Sequence, residues 1–138
     1  MLGLEYKKNS LLFDQKSIEK ILKDHPTPFY LYSENIIVKQ FTTFLLAAKG
    51  QEIENPLICF ALKANPNAAL ISSLFKKGAG ADIVSSGELK RALDNGCDPM
   101  KIVFSGVGKT ESDINNALDA GPEGCLLYTS DAADEEDS

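Results

Sequence analysis

The chain has 138 residues, 43% of them apolar, enough for one domain of ordinary size with a buried core. Three widely spaced cysteines (Cys59, Cys97 and Cys125) and a single histidine, His25, argue against a disulfide scaffold and against a bound metal. The net charge of −6 is concentrated at one end: five of the 20 acidic residues lie in the last eight positions, and without them 15 acids face 14 bases. The body of the chain therefore offers no basic face to nucleic acid, and no stretch approaches the length of a membrane span.

The opening Met1-Leu2-Gly3-Leu4-Glu5-Tyr6-Lys7-Lys8 lacks the charged-then-apolar order of a secretory signal, so a cytoplasmic protein without a membrane partner is expected. Residues 14–24 carry Ile18, Ile21 and Leu22 at helical spacing and are stopped by Pro26. The aromatic-rich run Pro28-Phe29-Tyr30-Leu31-Tyr32 reads as a strand. Ser33 is placed to cap a helix running to about Lys49, with Ile37, Phe41, Phe44, Leu45 and Ala48 as its apolar stripe and Gly50 as its stop.

From there the chain repeats itself. A strand over 57–62 leads to a helix over 68–77 and Gly78; a strand over 82–84 leads to a helix over 87–95 and Gly96; a strand over 102–104 leads to a helix over 111–120 and Gly121. Each glycine is able to take the left-handed conformation that ends a helix. Ser85-Ser86-Gly87-Glu88 has capping-box spacing, as does Thr110-Glu111-Ser112-Asp113 more weakly. Short strands alternating with amphipathic helices predict an α/β fold with a parallel sheet, either a (β/α)8 barrel or a doubly wound sheet. In both, functional groups gather at the C-terminal ends of the strands.

Lys63, Ser85 and Ser105 occupy such ends. Lys63 closes the apolar run Pro56-Leu57-Ile58-Cys59-Phe60-Ala61-Leu62 and precedes Ala64-Asn65-Pro66-Asn67, which predicts a buried strand ending on a lysine. Such an amine serves as a nucleophile towards an aldehyde; the plainer alternative is a side chain that reaches past the strand end into solvent. Asp82 opens the next strand, either as a solvated carboxylate or as the partner of the Lys63 ammonium. Ser105-Gly106-Val107-Gly108-Lys109-Thr110 imitates a phosphate-binding loop, but the position that needs its first glycine is Val103, inside the strand, and the reading fails. Tyr30 and Tyr32 read as packing residues, His25 as exposed and Cys59 as an inert strand residue.

Three phrases in order, Thr27-Pro28-Phe29-Tyr30-Leu31-Tyr32, Phe60-Ala61-Leu62-Lys63-Ala64-Asn65 and Gly80-Ala81-Asp82-Ile83-Val84-Ser85-Ser86-Gly87-Glu88-Leu89, resemble the N-terminal part of the diaminopimelate decarboxylase family. Ile102-Val103-Phe104-Ser105-Gly106-Val107-Gly108-Lys109-Thr110 extends the resemblance, which covers about residues 5–122; Ser86 stands where the family more often has glycine. The resemblance implies the alanine-racemase-like fold: here a partial (β/α)8 TIM barrel, its first three β/α units preceded by an N-terminal helix, strand and helix. It implies pyridoxal 5′-phosphate as cofactor, with Lys63 catalytic and covalently attached to it, Ala61 beside its ring and Asp82 next to both. It implies meso-diaminopimelate as substrate, L-lysine and carbon dioxide as products, and a homodimeric full-length parent. Ornithine or arginine decarboxylase, alanine racemase and a non-enzymatic carrier of the cofactor share the lysine motif and stand as alternatives.

Family members are much longer. Residues 1–124 are expected to be the N-terminal part of a cofactor-binding barrel domain. Residues 125–138 resemble a translated sequencing adapter joined to a broken reading frame, and are expected to form a non-native, disordered acidic tail. As a fragment of this kind the chain is expected to be inactive by itself.

Overall fold

The computed structural model describes residues 3–51, 53–121 and 126–127. Contacts divide the chain into two compact units, Met1–Phe44 and Leu45–Ser138.

In the first unit, strands β1 (Leu4–Lys7), β2 (Ser10–Phe13) and β3 (Lys16–Ser17) form an antiparallel sheet in that order. Both connections are two-residue turns whose central residues all have positive φ: Lys8 and Asn9 at 48° and 65°, Asp14 and Gln15 at 47° and 65°. Turns of that hand match the twist of the strands they join. Helix α1 (Ile18–Asp24) follows. The sequence predicted one helix from residue 14; residues 14–17 are instead a turn and a strand, so two hairpins precede the helix. The predicted strand over Pro28–Tyr32 is also absent. That stretch pairs with no described strand, and its Tyr30 and Tyr32 rings stack on each other at 6.5 Å, with Tyr30 90% exposed. Aromatic composition favours a strand only where a partner ladder exists.

Helix α2 (Glu34–Lys49) has the expected bounds, and Ser33 caps it: the Ser33 hydroxyl accepts from the Ile36 amide at 3.2 Å and donates to Asp14 Oδ2 at 2.7 Å. Asn35 also donates to that oxygen at 3.0 Å. These two hydrogen bonds, with the nearby Lys16, hold the Asp14 carboxyl below its ordinary value. The expected stripe is only half-buried, and its Phe44 is exposed.

The second unit is a parallel sheet in the order β4 (Cys59–Ala61), β5 (Gly80–Ile83), β6 (Ile102–Phe104) and β7 (Leu126–Leu127). Helices α3 (Ala68–Phe75), α4 (Ser86–Asp94) and α5 (Glu111–Leu118) connect the strands, as the repeating pattern predicted. The short β7 continues the sheet within the stretch read as a tail; residues 122–125 and 128–138 lie outside the described residues. Four strands in this order make an open sheet and no closed barrel.

Alternation along the strands gives the sheet two different faces. Ala81, Ile83, Ile102 and Phe104 are fully buried on one, together with the helix residues Ile71, Ala92 and Ala117. Fully burying a side chain such as Ile83 or Phe104 stabilises the fold by about 1.5–3 kcal/mol. On the other face Cys59, Ala61, Asp82, Val103 and Ser105 are only half-buried. Gly78 and Gly96 end their helices at φ of 91° and 85°, the left-handed region. Gly121 has no such angle; it lies against Pro99, whose Cβ would be 2.9 Å from an added methyl.

Candidate active site

The half-buried sheet face and the loops at its C-terminal edge gather the residues singled out in the sequence. Strand β4 ends at Ala61, and Leu62–Ala64 forms a 3₁₀ turn. Leu62 is fully buried and anchors that turn, whereas Lys63 is exposed. Of the two readings of the apolar run, the structure has the exposed one: Leu62 takes the last interior place and the backbone turns before Lys63. Among the described residues the Lys63 ammonium has neither an ion-pair nor a hydrogen-bond partner.

The turn is held firmly on its far side. Asn65 Oδ1 accepts from the Asn67 amide at 3.1 Å, and Asn67 Oδ1 caps α3 by accepting from Ala69 and Leu70 at 3.1 and 3.4 Å. The Arg91 guanidinium, from α4, donates to the Pro66 carbonyl at 3.1 Å. Side chains thereby satisfy amides that an unfinished helix end would leave open.

In parallel register Ala61 lies opposite Asp82, and Asp82 opposite Val103, so one row across the open face is Ala61, Asp82, Val103. Asp82 makes no ion pair with Lys63, the partner that the sequence suggested. Its Oδ1 instead accepts from the Ser105 hydroxyl at 2.5 Å. Cys59 lies on the same face; burial pushes its thiol up, and the Asp82 carboxylate pushes it further, so it stays a neutral thiol. Gly80 begins this row's strand because nothing larger fits: an added Cβ would fall on the Lys101 carbonyl oxygen and 2.8 Å from Cys59 Sγ.

The serine-rich edge is largely absorbed by helix capping. Ser85 Oγ accepts from the Glu88 amide at 3.3 Å, and Glu88 Oε2 reaches back past the cap to accept from the Val84 amide at 2.8 Å. Thr110 and Asp113 complete the box that the sequence marked as weaker. Asp113 does more than cap α5, because its Oδ1 also takes a very short hydrogen bond from Ser86 on α4. That bond first, then the Thr110 amide and hydroxyl, hold the Asp113 carboxyl down at about 2. Lys109 donates to the carbonyl of Gly106 in its own loop, with its ammonium 5.5 Å from the centre of the Phe104 ring. The false phosphate loop therefore closes on itself.

Sequence reasoning missed the Ser105–Asp82 and Ser86–Asp113 pairs. Both join neighbouring strand–helix units, and only the sheet register brings their members together.

Known proteins resemble this chain over most of its length. Residues 36–135 match the model of the pyridoxal-dependent decarboxylase family, pyridoxal binding domain. A diaminopimelate decarboxylase of Zymomonas mobilis is 38% identical over 121 residues, which cover 88% of this chain and 29% of that protein. The crystal structure of diaminopimelate decarboxylase from M. jannaschii superposes with a TM-score of 0.81 at 32% identity, covering 86% of this chain and 28% of its own. The Helicobacter pylori enzyme complexed with L-lysine gives 0.71 at 42% identity, over 80% of this chain and 27% of its own. The chain thus spans less than a third of the length of these relatives. On the family match, which takes in the open sheet face and the Lys63 turn, this chain belongs to the pyridoxal-dependent decarboxylases, as part of their pyridoxal-binding domain.

Proposed function

We propose that the chain is the N-terminal part of a cytoplasmic, homodimeric decarboxylase that uses pyridoxal 5′-phosphate to convert meso-diaminopimelate to L-lysine and carbon dioxide. The observation that carries this reading is a primary amine with no partner among the described residues, Lys63, at the strand end beside a half-buried sheet face that holds a small residue and a carboxylate. The residues fit the cofactor's chemistry. Lys63 offers the amine for covalent attachment to an aldehyde, Ala61 leaves room for a flat ring, and Asp82 has one oxygen that no described residue uses. When bound, the cofactor draws electrons from the bond to be broken. Lys63 would also hold or move a proton at its Nζ.

A parallel sheet is ordinarily covered on both faces, and among the described residues one face of this sheet is only half-buried. The reading accounts for this by extending β4, β5 and β6 to a closed (β/α)8 barrel in the full-length protein, whose interior is the open face. Residues 125–138 then belong to a foreign tail, and the rest of the barrel supplies the phosphate and substrate contacts. The 138-residue chain alone releases no carbon dioxide in this account. Two assays test it. Purified chain, cofactor and meso-diaminopimelate are expected to give no carbon dioxide, while the full-length protein is expected to give it and Lys63→Ala to abolish it. Activity that survives Lys63→Ala refutes the assignment.

A further inference from the structure

We infer that Ser105 is a positioning residue for the cofactor, acting through Asp82; this rests on the function proposed above. Asp82 lies in the middle of the open row, opposite Ala61, where a bound ring would lie. Its carboxylate has two equivalent oxygens and a side chain free to rotate, unless something fixes it. The Ser105 hydroxyl does so by donating to Oδ1 at 2.5 Å, while Oδ2 takes no hydrogen bond from any described residue.

Ser105 is itself held in place from both sides. Its amide donates to the Ile83 carbonyl at 3.0 Å. The next residue, Gly106, is pressed on Val84 so closely that an added Cβ would lie 2.8 Å from the Val84 carbonyl oxygen. The backbone that carries the hydroxyl thus has little room to move, and the hydroxyl is aimed before any ligand arrives. Donation to Oδ1 leaves Oδ2 as an open acceptor among the described residues of this face. The group it suits is an N–H or O–H donor of the cofactor. An acceptor fixed in advance loses less freedom on binding than one that must be ordered by the ligand.

The test uses the full-length protein, stripped of cofactor and titrated with pyridoxal 5′-phosphate while its absorbance is followed. Ser105→Ala is expected to weaken binding about fivefold, the loss of one hydrogen bond to a partly exposed charged group. Ser105→Thr, which keeps the hydroxyl, is expected to restore binding to within about twofold. In an Asp82→Ala background Ser105→Ala is expected to change nothing further. Unchanged binding in Ser105→Ala, failure of threonine to restore it, or an equal loss in the Asp82→Ala background overturns the inference. Should Ser105→Ala not fold, Ser105→Cys, a weak donor of similar size, carries the same expectations. Lys63→Ala separates the two readings: a cofactor absorbance band that persists in it sinks the proposed function itself, whatever Ser105 does.

Discussion

Substituting Gly80 by alanine is a sharp test of how β5 and β6 meet. The added methyl would occupy the place of the Lys101 carbonyl oxygen and stand 2.8 Å from Cys59 Sγ. One of these obstacles is backbone and cannot rotate away, so β6 must shift or the two strands must part. Overpacking of this kind costs about 1–3 kcal/mol, and the rigid obstacle places Gly80→Ala at the upper end, about 3 kcal/mol. With a urea dependence of about 1.5 kcal/mol per molar, the unfolding midpoint should fall by about 2 M. Two other glycines serve as controls. Gly78, at φ 91° with open space around it, should lose about 1 kcal/mol on change to alanine through backbone strain alone. Gly87 lies in the first turn of α4, its nearest neighbour the Ser85 hydroxyl at 3.8 Å, and should gain up to about 1 kcal/mol. Urea unfolding followed by circular dichroism gives all three values. If Gly80→Ala lies within about 0.5 kcal/mol of the parent, the close approach of the strands is wrong.

Leu62→Ala should cost about 2–5 kcal/mol, read from the urea midpoint, because Leu62 is fully buried and anchors the turn before Lys63. Lys63→Ala should leave stability within about 0.5 kcal/mol of the parent in the same assay, since its side chain is exposed and has no partner among the described residues. Asp113 adds a pH signature. Its carboxyl is held at about 2 when folded, against an ordinary 3.8, so its stabilising effect is complete above pH 3.8 and is lost as pH falls through about 2. Asp113→Asn and Ser86→Ala should each flatten the acid limb of a stability–pH curve in that window; an unchanged limb would mean that the Ser86 bond does not form in solution.

The second unit was legible because its signals are local and agree with one another. Apolar runs, Asn67 and Ser85 at helix starts, and Gly78 and Gly96 past helix ends all fell in the order that a parallel sheet requires. The first unit was not legible, because Lys8-Asn9 and Asp14-Gln15 fill their turns without the glycine that usually marks them. Pro28–Tyr32 shows the opposite failure, a strand-like composition with no described strand to pair with. At the site, position along the chain singled out Lys63 and Asp82, and the family resemblance Ala61, but none of these signals gave their partners. The lysine came out exposed because Leu62 fills the interior position, and the serine that holds Asp82 lies 23 residues away, across a strand boundary. Such pairs depend on register, which a single sequence carries weakly.

The central claim is that Lys63 is the residue that bonds to the cofactor. Loading the full-length protein with pyridoxal 5′-phosphate, reducing it with borohydride and locating the modified peptide by mass spectrometry tests that claim directly. The account expects a single pyridoxyl group on the peptide containing Lys63. A group found instead on the peptide containing Lys109, or on any other lysine, would contradict it.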